Sequence, residues 1–280
     1  MSRVINGKRI AVVLPAYNAA RTLEKTVAEI PRDIVDDILL VDDFSRDDTS
    51  DIARRLGLKV FQHEQNFGYG RNQKTCYTEA LSLNADVIVM LHPDYQYEPR
   101  LVAPMASLVA SDVYDVVIGS RILGGKARSG GMPLYKYISN RFLTLIENLV
   151  TGAKLSEYHS GYRAFSRDVL MSLPLHMNSD NFVFDNEMLA QAIFFDFRIA
   201  EISCPARYFP EASSIRFLPS VRYGFGVLWT SARFRLQKWG VANFRIFDKR
   251  SLGLAGYYHD TNVTPETRGH RPRLQSRGRP

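Results

Sequence analysis

No apolar run in this 280-residue chain approaches the ~18 residues that a membrane-crossing helix needs. The N-terminus, Met1 to Arg9, leads into an apolar strand and not into a signal-peptide core, so neither a secreted nor a membrane-spanning protein is expected. Cysteine is nearly absent. Cys76 and Cys204 are too few for a disulfide framework and lack C-x-x-C spacing, which suits a reducing compartment and two small packing residues. Gly68 and Gly70 have no third glycine after them, so the dinucleotide fingerprint is missing and classical NAD binding is not expected. Excess positive charge is missing from most of the chain: Met1 to Ala206 holds 22 basic and 25 acidic residues, whereas Arg207 to Arg250 holds 9 and 2. A partner attracted by charge, whether nucleic acid, anionic lipid or a phosphorylated substrate, would therefore meet the C-terminal quarter.

What is present is a globular composition, 45% hydrophobic and 23% charged, enough for one large domain or a domain with an appendage. Short apolar runs at Arg9 to Leu14, Asp37 to Val41, Leu58 to Gln62, Val87 to Leu91 and Tyr114 to Gly119 alternate with amphipathic stretches. One of these carries Leu23, Val27 and Ile30 on one face; another carries Cys76, Tyr77, Ala80 and Leu81. That rhythm predicts an α/β fold with a doubly wound, mostly parallel sheet flanked by helices. Asn18 is placed to cap the first helix, and Ser45 with Asp48 resembles a capping box for the second. Arg198 to Cys204 reads as a last strand.

The run Val87 to Leu91 ends at His92, Asp94 and Gln96, spaced i, i+2 and i+4, with Pro93 and Pro99 preventing the strand from continuing. Ligands of open α/β sheets bind at the carboxyl ends of strands, so chemistry is expected there. Pro133 opens a long helix with Tyr137, Ile138, Phe142, Leu145, Ile146 and Leu149 on one face and Lys136, Asn140, Thr144, Glu147 and Thr151 on the other. Its apolar face is read as core packing in preference to membrane docking. From Arg216 to Phe247 arginine and lysine interleave with tyrosine, tryptophan and phenylalanine, which predicts an amphipathic helical extension over 213–255; 256–280 is expected to be a disordered tail.

Five segments, Val-Val-Leu-Pro-Ala-Tyr-Asn at Val12, Val-Asp-Asp-Phe-Ser at Val41, Asn-Phe-Gly-Tyr-Gly at Asn66, His-Pro-Asp-Tyr-Gln at His92 and Gly-Ser-Arg at Gly119, occur in order and in register. Together they resemble the inverting family 2 glycosyltransferases of GT-A fold, with a domain over 1–212. The helix from Pro133 and Ser-Gly-Tyr-Arg at Ser160 are similar to segments of the dolichol- and polyprenyl-phosphate hexose synthases. The resemblance implies a nucleotide-diphosphate sugar donor of the GDP-mannose or UDP-glucose class and a divalent metal, Mg2+ or Mn2+. Pro15, Ala16, Tyr17, Asn18, Asp42, Asp43, Gly68, Arg71 and Asp94 would bind donor, and Asp94, Gln96 and His92 would hold metal. His92 departs from the family, which has an aspartate there; loss of one carboxylate favours weaker metal binding or a softer ion such as manganese.

Asp94, Arg121, Asp185 and Glu187 are the expected catalytic residues, with Asp185 or Glu187 the base if the acceptor is a hydroxyl. A phosphate monoester acceptor needs no base because its oxygen is already anionic. Lys136, Ser139, Arg163 and Arg207 would then grip it. The leading expectation is an enzyme peripheral to the cytoplasmic face of a membrane, moving a hexose to polyprenyl phosphate with inversion. A hydroxyl acceptor in glycan assembly is the alternative, and an inactive donor-binding protein is the alternative of another class. The basic-aromatic segment is expected to meet membrane or acceptor; a homodimer contact is a further option, and nucleic acid is the last choice.

Overall fold

The computed structural model describes residues 5–208 and 217–248. The expected tail over 256–280 lies outside the described residues. Seven strands form one sheet: β1 (Ile10–Ala16), β2 (Asp37–Asp42), β3 (Lys59–Gln62), β4 (Val87–Met90), β5 (Val116–Ser120), β6 (Arg163–Ser166) and β7 (Ile199–Ser203). Their order is β3-β2-β1-β4-β6-β5-β7, and only β6 runs against its neighbours. Every residue of β1, β2, β4 and β5 is buried, as apolar runs covered on both faces must be.

Side-chain alternation sends Ile10, Val12 and Leu14 to one face and Ala11 and Val13 to the other. The first face packs beneath α1 (Ala20–Ala28), α2 (Thr49–Arg55) and α4 (Val102–Ala110), with Leu23, Val27 and Ile30 buried as their spacing predicts. The second packs beneath α3 (Tyr69–Ser82), α6 (Arg167–Ser172) and α7 (Phe184–Phe194). Cys76 and Cys204 are buried free thiols in these two layers.

Two expected caps do not form. Asn18 sits at φ 52° one residue before the cap position, and its Oδ1 accepts from Arg46 N at 2.9 Å. Ser45 Oγ accepts from Asn18 N at 2.8 Å, so the two residues lace the β1 and β2 loops together and α2 starts at Thr49 without a side-chain cap. β6 did not stand out in the sequence because its four residues, Arg163 to Ser166, lack an apolar run.

The helix α5 (Leu134–Thr151) is amphipathic but faces opposite to expectation. Its polar edge, Asn140, Thr144, Glu147 and Thr151, is the buried one. Ile138, Phe142, Leu145 and Leu149 are 56 to 70% exposed. Burial of the polar edge is tolerated because each side chain finds a partner inside: Asn140 donates to Glu157, Thr151 to the Glu147 carbonyl, and Asn186 to Glu147. α8 (Phe217–Lys238) packs against α5 and α7, anchored by Phe234 against Phe194 and Phe247 and by Arg233 on Glu187 at 2.7 Å. Among the described residues no helix is long and apolar enough to cross a membrane.

Candidate active site

The carboxyl ends of β1, β2 and β4, the start of α3, the N-terminal half of α5 and the N-terminal half of α8 surround a cleft of about 770 Å³. Its walls include Pro15, Ala16, Tyr17, Asn18, Asp43, Gly68, His92, Asp94, Gln96, Arg121, Lys136, Ser139 and Asp185, all named from the sequence. It also includes Tyr69, His159 and Tyr223, which the sequence reading passed over.

On the donor side the carboxylates act first on the protein's own loops. Asp42 accepts from Ser45 N at 2.9 Å and Ser50 Oγ at 2.6 Å and does not reach the cleft. Asp43 accepts from the backbone of Phe67 at 2.8 Å and Gly68 at 2.9 Å and from His63 Nδ1 at 2.8 Å, so it shapes the loop that opens α3. Gly68 is needed there: its φ is 95°, and a Cβ would come within 2.8 Å of the Asp180 carbonyl. Arg71 lies outside the cleft wall, near the Phe67 ring.

Asp94 has one oxygen on the backbone N–H of Gln96 at 3.1 Å, and the other has no hydrogen-bond partner among the described residues. Desolvation pushes its carboxyl above the usual range, against the pull of His92 and Arg121. A partly desolvated carboxylate with a free oxygen facing a cleft is a natural partner for a hard cation. His92 has one ring nitrogen committed: Tyr69 gives its hydrogen to Asp185 Oδ2 at 2.6 Å, so His92 Nε2, 2.9 Å from that hydroxyl, must be the donor. The lone pair of His92 is left on Nδ1. Gly161 makes this possible, because a Cβ there would come within 2.3 Å of the His92 ring. Among the described residues no three His, Cys, Asp or Glu side chains cluster as a ready-made metal cage. Asp94, His92 and Gln96 all line the cleft and would supply carboxylate, imidazole and amide donors to a divalent ion, a mixed set that suits manganese as well as magnesium.

Asp185 also accepts from Gln73 Nε2 at 2.8 Å, so each of its oxygens already holds a donor and the carboxylate is oriented instead of left free to take a proton. Glu187 lies off the cleft wall. It accepts from Ser179 N at 2.6 Å and from Arg233, and ties α7 to α8.

Arg121 lines the cleft, but its fork is taken by Glu157, with Nε donating at 2.9 Å, and it also donates to the His159 carbonyl. Burial works against its charge, and Glu157 more than compensates, holding the guanidinium well above its ordinary value. Arg163 is buried, gives its hydrogen bonds to the carbonyls of Ser160, Tyr158 and Asp185, bracing the loops around it, and does not line the cleft. Arg207 is paired with Glu98 at 2.6 Å over the Tyr95 ring, outside the cleft wall. Lys136 is different. It lines the cleft beside Ser139 on the first turns of α5, makes no ion pair among the described residues, and has its pKa lowered by desolvation and by Arg121. A cation with no internal carboxylate at the start of a helix awaits an anion from outside.

A profile of glycosyl transferase family 2 matches residues 11–173. The chain is 29% identical to the UDP-N-acetylglucosamine–dolichyl-phosphate N-acetylglucosaminyltransferase of Methanococcus voltae, over 82% of this chain and 98% of that one. It is 30% identical to a dolichyl-phosphate hexose transferase of Haloferax volcanii, over 71% of this chain and 82% of that one. Among solved structures, glucosyl-3-phosphoglycerate synthase of Mycobacterium tuberculosis, in complex with Mn2+ and UDP-glucose, shares the fold: TM-score 0.62 at 20% identity, covering 85% of this chain and 81% of that one. With the parallel sheet, the cleft at its strand ends and a family match spanning more than half its length, the chain belongs to glycosyltransferase family 2.

Proposed function

We propose that this enzyme transfers a hexose from a nucleotide-diphosphate sugar to the phosphate of a polyprenyl lipid, of the dolichyl or undecaprenyl class, at a membrane surface and with inversion. The observation that carries the reading is α5, which presents Lys136 and Ser139 to the cleft, with the exposed Phe142 at its rim, while turning Ile138, Leu145 and Leu149 outward. One helix thus offers a cation to an anionic headgroup and an apolar face to acyl chains. Phe225, Trp229 and Trp239 are exposed on and just after the neighbouring α8, with Arg235 beside Trp239, and extend the apolar face with an aromatic and basic border. The names of the Methanococcus and Haloferax relatives, which act on dolichyl phosphate, support the same class of acceptor.

The cleft suits this chemistry. Pro15 to Asn18 and the Gly68 turn wall the side where a nucleoside diphosphate would lie. A divalent cation held by Asp94, His92 and Gln96 would offset the charge developing on the departing diphosphate. Asp185, held by Tyr69 and Gln73, orients the sugar and has no proton to remove, because a phosphate oxygen attacks as an anion.

The test is transfer from radiolabelled GDP-mannose and UDP-glucose, with Mn2+ or Mg2+, to polyprenyl phosphate. The expected product carries label into the organic phase, and Lys136→Met raises the acceptor KM about tenfold or more, as loss of a charge-assisted contact would. Label passing only to a water-soluble glycan points to the hydroxyl-acceptor alternative. Absence of both transfer and donor hydrolysis points to an inactive donor-binding protein.

A further inference from the structure

Deeper along the polar edge of α5, three side chains from three parts of the chain meet without satisfying one another. Glu147 accepts from Asn186 Nδ2 through Oε1, while its buried Oε2 has no hydrogen-bond partner among the described residues. His159 Nε2, likewise buried and unpartnered, faces that carboxylate oxygen at 3.4 Å. On the other side of the imidazole, Nδ1 lies 2.8 Å from the Tyr223 hydroxyl, with the two rings edge to face. His159 and Tyr223 line the cleft, and Glu147 stands behind them.

Two lone pairs cannot face each other across a buried gap without cost, so one hydrogen belongs between Glu147 and His159. Burial decides who holds it. It pushes the Glu147 carboxyl up to about 8, against the Asn186 hydrogen bond and the Arg163 charge. It pushes His159 down to about 4, against the attraction of Glu157. Near neutral pH both groups are therefore uncharged, and Glu147 donates to Nε2. The single hydrogen of the neutral imidazole is left on Nδ1, where it donates to the Tyr223 oxygen. The tyrosine's own hydrogen is then available to a group other than His159, in the cleft that Tyr223 lines.

The surrounding charges leave this order undisturbed. Arg163 spends its donors on backbone carbonyls; Asp185 is held by Tyr69 and Gln73; Glu187 is paired with Arg233; Arg121 is paired with Glu157; and the Tyr158 hydroxyl donates to Asn148. From α5 onto α8, by way of the loop before β6, a run of hydrogen bonds therefore donates in one direction.

We propose that Glu147 and His159 act as positioning residues that hold Tyr223 as a hydrogen-bond donor to the acceptor's phosphate. The inference rests on the lipid-phosphate reading of the cleft and adds to it a second anchor facing Lys136 and Ser139 from α8. A phosphate monoester only accepts hydrogen bonds, so a hydroxyl whose hydrogen is not given to His159 binds it without reorganising. When Glu147 ionises, it draws the imidazole hydrogen to Nε2. His159 Nδ1 then takes the tyrosine's hydrogen, and the donor to the acceptor is lost. Acceptor affinity is thus retained below about 8 and falls as pH rises through it.

The experiment measures acceptor KM, donor KM and kcat for the full chain with a short polyprenyl phosphate between pH 6.5 and 9.5. Tyr223→Phe is expected to raise the acceptor KM about tenfold at pH 7 with donor KM unchanged, and to abolish the alkaline rise in acceptor KM. Glu147→Gln, whose carboxamide still donates to Nε2 and cannot ionise, is expected to keep the pH 7 value and hold it to pH 9.5. An acceptor KM within twofold of wild type in Tyr223→Phe, or an alkaline rise persisting in Glu147→Gln, overturns the proposal while leaving lipid-phosphate transfer intact. A wild-type chain that does not use polyprenyl phosphate overturns both. Nitrogen-15 NMR of the imidazoles reads the hydrogen-bond order without turnover: His159 is expected neutral with its hydrogen on Nδ1 at pH 7, and a hydrogen on Nε2 overturns the relay.

Discussion

The two sides of the cleft are built on opposite plans. On the donor side, apolar strands end abruptly and the polar residues just beyond them are held by short-range bonds: Asp42 and Asp43 by neighbouring loops, Asn18 by Arg46 and Ser45. On the acceptor side a single helix turns its polar edge inward and its apolar face outward, and α8 closes over it. The first plan makes a rigid socket for a small charged ligand. The second makes a boundary between an aqueous cleft and something apolar outside.

The largest effect should come from the socket. Asp94→Ala is expected to lower kcat/KM for transfer by on the order of 10²–10³, with donor hydrolysis falling in parallel and vesicle binding unchanged. Turnover near wild type would remove Asp94 from the reaction and leave the donor side without its cation site. The boundary is tested by Leu145→Glu with Leu149→Glu. Each apolar side chain inserted at an interface is worth roughly 1.5–3 kcal/mol, so binding to anionic vesicles should weaken at least tenfold while thermal shift by nucleoside diphosphate is retained. Equal vesicle binding would place the membrane contact elsewhere.

The smallest effect lies between the two sides, at Glu147. The unfolded chain releases this proton near the ordinary value of 4.5 and the folded chain near about 8, so stability falls as pH rises across that interval. His159, lowered from 6.5 to about 4, acts in the opposite sense only below 6.5. Between pH 6.5 and 8 the Glu147 contribution therefore stands apart from that of His159, and Glu147→Gln should flatten the decline of Tm there. A slope like that of wild type would mean that Glu147 is ionised in the folded protein.

The same contrast explains what could be seen in the sequence. Strand ends are local events, so Val87 to Leu91 followed by two prolines located the floor of the cleft, and the five motif segments supplied residues of its wall such as Pro15, Asn18, Gly68 and Arg121. Spacing also revealed that α5 is amphipathic. It could not reveal which face is buried, since that depends on whether distant groups such as Asn186 and Glu157 satisfy the polar edge. Nor does spacing show the partners of Glu187, expected as a catalytic residue, or of Arg163, expected to bind acceptor: Arg233 and the carbonyls of Ser160, Tyr158 and Asp185 are chosen by folding. Tyr223 was hidden within a basic-aromatic stretch that gave no hint of which ring turns inward.

The outward strip on α5 also governs how the protein behaves away from any bilayer. Leu145 and Leu149, one turn apart, are more than half exposed among the described residues, and in plain buffer such a surface is colloidally unstable. Copies at high concentration will bury the strip against one another, so particle size should grow with concentration and shrink when a mild detergent is added. Solubility, usually treated as a matter of handling, becomes a direct readout of the surface proposed to meet lipid.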